Sequence, residues 1–253
     1  MASRDEIIKF CDELLDSAAF SDYGPNGMQV PGRAEVTRVA TCVSAHRESI
    51  DAAVGAGAEM LLAHHGLFWD FHPRSLSEQM AERLRSALTA DLTVAGYHLP
   101  LDGHPEIGNN ALLRAELGLQ PSDVTLGEVK GRAIGAVGTA AGGIPAAELF
   151  QRVESATGRP PLVFDSGPAQ VERVGIVSGA ASSTLAEAVA LGLDAFITGE
   201  PSEHVMADAR EGGIHFIAAG HYATETFGIR RLGELLAERF GVEQEFLDIP
   251  NPV

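Results

Sequence analysis

Apolar and polar positions fall into blocks that switch between a helical and an extended period. Near the N-terminus Ser3 and Glu6 form a capping box, and Ile7, Ile8, Cys11, Leu14 and Leu15 follow at helical spacing. This predicts a helix ending near Ser17. Residues 21–27 are rich in turn formers, and 28–30 suit a short strand. From residue 38 the pattern alternates. Residues 39–43 read as a buried strand and 47–55 as a helix. Residues 60–63 form a second apolar strand that runs straight into His64-His65. An amphipathic helix is expected over 76–88, a strand over 92–95 leading to Tyr97-His98, and a helix over 109–117. Strands alternating with helices imply an α/β fold with largely parallel pairing.

The second half repeats this order. Residues 37–65 and 172–200 align without a gap, with Arg38/Arg173, Val39/Val174, Ala45/Ala180, Ala53/Ala188, Val54/Val189 and Gly57/Gly192 identical. The matching strand-helix-strand order supports the alignment more than six identities do. Further on, Gly96-Tyr97-His98 with Asp102 corresponds to Ala219-Gly220-His221 with Glu225, each group following a strand. Residues 133–137 are strand-like, and a helix over 146–156 answers the N-terminal one. The reading is an internal duplication, a first α/β repeat over 1–125 and a second over 126–253. The junction is expected within 118–129, where Gly, Pro and charge lack periodicity.

Charge narrows the partners. Lys plus Arg is 18 and Asp plus Glu is 35, a net charge of -17. Such a chain is not expected to bind a nucleic-acid backbone or an anionic membrane surface. No apolar stretch is long enough for a spanning helix. The opening residues carry acids where a signal peptide needs a basic and then an apolar segment. Cys11 and Cys42 are the two cysteines, and no Cys-x-x-Cys occurs, which leaves out a thiolate zinc site. A reducing cytoplasm is the expected setting.

Ligands of open α/β sheets gather beyond the carboxyl ends of the strands. Four such ends carry His or carboxylates: His64-His65, His98 with Asp102, Glu200 with His204, and His221 with Glu225. Adjacent strand residues point to opposite faces, so His64 and His65 are expected to diverge toward two ions rather than chelate one. His221 and Glu225 share a helix face if a helix begins at Gly220-His221, and the two Glu225 oxygens suit a bridge. Pro100 argues for a loop between His98 and Asp102. Taken alone, His98 with Asp102 and His221 with Glu225 read as ordinary solvated pairs, whereas the apolar run before His64-His65 weakens that reading there. Together, at equivalent ends of a duplicated unit, they suit Zn, Mn, Fe or Co. Glu200 and His204 are the candidate catalytic bases, and Glu203 reads as a surface acid at a helix start. His46, His72, His104 and His215 are expected to be structural or superficial. Phe68 and Trp69 either line the pocket or simply pack. Phosphate-loop, dinucleotide and nucleophile-elbow patterns are absent, and Ser178-Gly179 has no assignable acid or histidine partner.

These segments carry a resemblance. The runs 21–30, 64–69, 98–102, 194–200, 218–225 and 248–252 resemble the Nif-three-like dinuclear metal-centre family, in its bacterial YbgI branch. The resemblance implies two intertwined α/β repeats and two divalent metal ions per chain. It places ligands on His64, His65, Asp102, His221 and Glu225, with Glu225 as the bridge, and leaves His98 as a supporting residue or further ligand. It also implies a toroidal homohexamer. Relatives often carry Thr-Gly-Asp with a following Lys-His-His, whereas this chain has Thr198-Gly199-Glu200 followed by Ser202-Glu203-His204. Members are often labelled GTP cyclohydrolase I type two homologs, which implies a metal-dependent hydrolase of a small polar or nucleotide-like substrate. Arg230-Arg231, about one turn beyond Glu225, are placed to meet a phosphate. The alternative function is a metal-handling or metal-insertion protein without turnover. A regulatory protein with a structural metal is the third.

Overall fold

Two β-sheets, each with its own apolar core, organise the chain. The computed structural model describes residues 1–253. Residues 1–101 with 228–249 form one compact unit, and 102–227 with 250–253 form the other. The chain therefore passes between the units three times, and the boundary expected at 125/126 falls inside the second unit. The helix Asn109–Glu116 and the short strand Gln120–Pro121 belong to that unit, because the strand pairs with Ala136–Pro145.

In the first unit the strand order is Glu243–Phe246, Arg38–Ser44, Met60–His65, Thr93–Gly96 and Gly27–Val30. The first four run parallel and Gly27–Val30 closes the edge antiparallel. Met60 to His64 are buried, as a central parallel strand covered on both faces must be. The helices Arg47–Gly55 and Glu78–Thr89 pack beside it, so Ile50, Ala53, Ala87, Leu61 and Val94 form one core.

In the second unit the order is Leu162–Phe164, His215–Ala218, Ala195–Thr198, Gln170–Ile176, Ala136–Pro145 and Gln120–Pro121. Parallel pairing is confined to Gln170–Ile176, Ala195–Thr198 and His215–Ala218. The outer strands are antiparallel, so the sheet is mixed. The helix Ala146–Thr157 lays Leu149 and Val153 against Val174, Ile197 and Ile217.

The same local contacts occur within each unit at a constant sequence offset. The Glu59 carboxylate accepts from the Thr37 and Arg38 N–H groups, and the Asp194 carboxylate accepts from Glu172 and Arg173. Gly57 N–H bonds to Val54, and Gly192 N–H to Val189. Both glycines have positive φ, which their turns after a helix require.

One local expectation is overturned. Leu99–Asp102 is a single helical turn, not a loop. Pro100 lies in its first turn, where a missing N–H costs no intrahelical bond.

Candidate metal centre

The first unit gathers three imidazoles at one end of its sheet. His64 and His65 end the strand Met60–His65, and His98 follows the neighbouring strand Thr93–Gly96. The rings of His64 and His65 lie 4.7 Å apart, His64 and His98 5.2 Å, and His65 and His98 5.5 Å. Each offers one nitrogen within 4.8 Å of the other two. The strand ends at His65, where Ser44 Oγ on the neighbouring strand lies 3.0 Å from His65 Nδ1 and fixes the ring.

Each ring is held from behind. His64 Nδ1 donates to the Tyr97 carbonyl at 3.0 Å. A carbonyl only accepts, so the neutral ring carries its proton on Nδ1 and its lone pair on Nε2. His98 Nδ1 lies 2.8 Å from Asp22 Oδ1. Asp22 also accepts from the Tyr23 and Leu99 N–H groups, while Asn26 accepts the His98 N–H. The loop 21–27 thereby caps the Leu99–Asp102 turn and orients His98 together. Burial tends to raise the Asp22 carboxyl. The His98 bond and charge, with Asn26 and the Tyr23 N–H, outweigh it and hold the group at about 2.

The second unit gathers a carboxylate-rich set. His221 opens the helix His221–Thr224, and Glu225 stands at its break before Thr226–Phe240. His221 Nε2 lies 3.1 Å from Glu225 Oε2, and Glu200 accepts from Nδ1. Burial tends to lower the imidazole. Glu225 first, then Glu200, reverse this and raise it to about 9. The glycines nearby are obligatory. A Cβ on Gly179, whose φ is +68°, would meet Glu225 Oε1, and one on Gly199 would meet the His221 Cα at 2.6 Å. Asp102 is buried, and its Oδ1 accepts from Asn109 Nδ2 at 2.8 Å and Ser178 Oγ at 3.0 Å. Ser178 thus has a partner in space, 76 residues away along the chain.

Other expected residues fall elsewhere. Glu200 is bonded to His221 and so orients it. His204 is exposed at the start of the helix Val205–Gly212, 3.8 Å from Asp208, and joins neither set. Arg230 lies over the Phe246 ring and 3.9 Å from Asp248, and Arg231 pairs with Glu234 and Glu238. Both guanidiniums are therefore engaged within the chain. His46 caps the helix Arg47–Gly55, His104 Nδ1 accepts from Glu106 and Ile107, and His215 is buried against the Pro168 carbonyl. Trp69 packs edge-on to His98 at 5.1 Å and against His65 at 5.8 Å. Sequence reasoning missed Asp22, Asn109 and the Ser178 contact. The turn composition of 21–27 was the one available signal.

The donor set is imidazole and carboxylate, with no thiolate, and the rings are oriented by carbonyl, hydroxyl and carboxylate groups behind them. This chemistry fits a borderline divalent ion. An α/β protein with such clusters at its strand ends belongs to a recognisable class. The chain is a member of the Duf34/NIF3 (NGG1p interacting factor 3) family, whose model matches residues 2–252. It is 41% identical to a GTP cyclohydrolase 1 type 2 homolog of Pseudomonas aeruginosa over 97% of both chains. It is 43% identical to the protein of that name from Escherichia coli K12 over 98% of both. Among solved structures, the protein ybgI, given as of unknown function, is 42% identical with a TM-score of 0.93 over the whole of both chains. A protein from Thermus thermophilus, TTHA1606, is 34% identical with a TM-score of 0.87, again over the whole of both. Reduced HcgD from Methanocaldococcus jannaschii shares the fold, at 22% identity and a TM-score of 0.85 over 98% of both.

Proposed function

We propose that His64, His65, Asp102, His221 and Glu225 hold two divalent ions, with Glu225 as the bridge and His98 in support. On this reading the chain is a metal-dependent hydrolase of a small polar or nucleotide-like substrate. The observation that carries it is the convergence of His64, His65 and His98 at one sheet end, each ring held by a polar group behind it. The relatives' name, GTP cyclohydrolase 1 type 2 homolog, supports the substrate class. When bound, such ions would supply polarisation of a substrate oxygen and a lowered pKa for a bound water. The chain's own residues do the rest. Tyr97 O sets the His64 tautomer, Asp22 orients His98, and Ser178 with Asn109 fixes the Asp102 carboxylate. Glu200 is the positioning residue for His221. His204 keeps the role of a base only if substrate brings it to the site. A homohexamer in the cytoplasm completes the reading, and the buried free thiols of Cys11 and Cys42 suit a reducing compartment.

The test is metal content per chain by elemental analysis, on wild type and Glu225→Ala purified without added metal. About two ions per chain in wild type, falling in the variant, are expected for a two-metal site. A panel of phosphoesters, cyclic amides and GTP with Mn, Zn and Fe then tests turnover. No bound metal after reconstitution removes the centre. Metal without any site-dependent turnover favours the metal-handling alternative, which the engagement of Arg230 and Arg231 also supports.

A further inference from the structure

Beyond the three imidazoles, the first unit holds a cavity of about 570 Å³ between the segment 68–77 and the helix Glu78–Thr89. Phe68, Trp69, Leu76 and Met80 supply an apolar wall, and Arg74 and Arg83 supply the charge. Asp70 is the one carboxylate that lines it. In a chain of net charge -17, arginines readily find acids, yet neither Arg74 nor Arg83 makes a hydrogen bond or ion pair. Glu82, on the same helix, is taken by Arg47. The volume lies in the range of small-molecule sites, and an apolar wall with a few convergent polar groups is their usual build. Two guanidiniums beside such a wall suit an anion attached to a flat ring, since Arg forks onto phosphate or carboxylate and aromatic walls accept a ring. Trp69 joins this cavity to the imidazoles, because its indole meets His98 edge-on.

We propose that this cavity binds a small planar aromatic anion and presents it to the His64, His65 and His98 cluster. This deepens the hydrolase reading and rests on it for the chemistry, though not for the binding.

Trp69 is the single tryptophan, so fluorescence excited selectively at tryptophan reports on this wall and the imidazoles beside it. Phenyl phosphate is titrated into metal-free and metal-loaded protein, with benzoate, inorganic phosphate and benzyl alcohol as comparisons. Saturable quenching by phenyl phosphate or benzoate is expected, and whichever binds more tightly identifies the anion as phosphate or carboxylate. Inorganic phosphate and benzyl alcohol each lack one half of the ligand and bind more weakly. Arg74→Ala and Arg83→Ala each weaken binding by about tenfold, the loss of one charge-assisted contact. Arg74 is exposed and Arg83 half-buried, and far-UV circular dichroism checks the fold of each variant. No saturable response to either aromatic anion overturns the proposal, as does an unchanged Kd in the double variant. A fluorescence change that follows protein concentration without ligand also overturns it, since a second copy then covers Trp69. Glu225→Ala that loses metal yet still binds phenyl phosphate leaves the cavity standing. Wild type with two ions and no fluorescence response removes the cavity and leaves the centre.

Discussion

Asp22 shows how one side chain serves local structure and site at once. Its oxygens cap Leu99, hold Asn26 and orient His98. Asp22→Asn is expected to weaken metal binding by about 10–100-fold, the usual cost of losing an outer-shell partner, as read by competition with a chromophoric chelator. The sign of its pH effect follows from a folded value of about 2 against about 3.9 in an unfolded chain. The depressed folded value makes the stabilisation complete above about pH 4 and lost as pH falls toward 2. Thermal melts of metal-free protein should show this acid-sensitive loss in wild type and lack it in Asp22→Asn. Equal acid slopes in both would sink the assignment. Gly179 is the second such position. Gly179→Ala sets a Cβ against Glu225 at a left-handed backbone. A loss of about 1–3 kcal/mol and a fall in bound metal are expected, from denaturant melts and elemental analysis.

Among the elements, the strand-helix-strand unit that recurs between residues 37–65 and 172–200 carries its own test. Glu59 and Asp194, each just ahead of a strand, accept from two consecutive N–H groups, Thr37 and Arg38 in one case and Glu172 and Arg173 in the other. Glu59→Gln and Asp194→Asn should therefore cost similar amounts, roughly 1–2 kcal/mol each in urea melts. A large effect at one and none at the other would show that the two contacts do different work. The helical turn Leu99–Asp102 makes the opposite prediction for Pro100. Pro100→Ala removes no backbone bond and should shift stability by no more than about 0.5 kcal/mol.

At the level of the whole molecule, chain order and compact unit do not coincide. The first unit takes its edge strand Glu243–Phe246 from the far end of the sequence, paired with Arg38–Ser44 in parallel register. A fragment of residues 1–227 leaves Arg38–Ser44 as an uncovered edge strand and the core incomplete, so it should aggregate or fail to fold. Size-exclusion chromatography and circular dichroism decide this. A soluble, folded fragment would mean that the strand is dispensable. No helix is long and apolar enough to cross a membrane.

The pattern of residues was sufficient for the helices and central strands. Burial on both faces writes a continuous apolar run at 60–63, and one-sided burial writes the helical spacing at 47–55, so the local code is complete there. The clustering of chemistry at strand ends was legible for the same reason, since polar residues closing an apolar strand need partners. What lay beyond the sequence was long-range pairing. The antiparallel edges of the second sheet lay outside any spacing rule. So did the Ser178 contact to Asp102 and the Asp22 hold on His98, each joining segments 76 residues apart. Those contacts depend on how the sheets bring chain ends together, which is settled by packing of the folded whole and not by any window of residues.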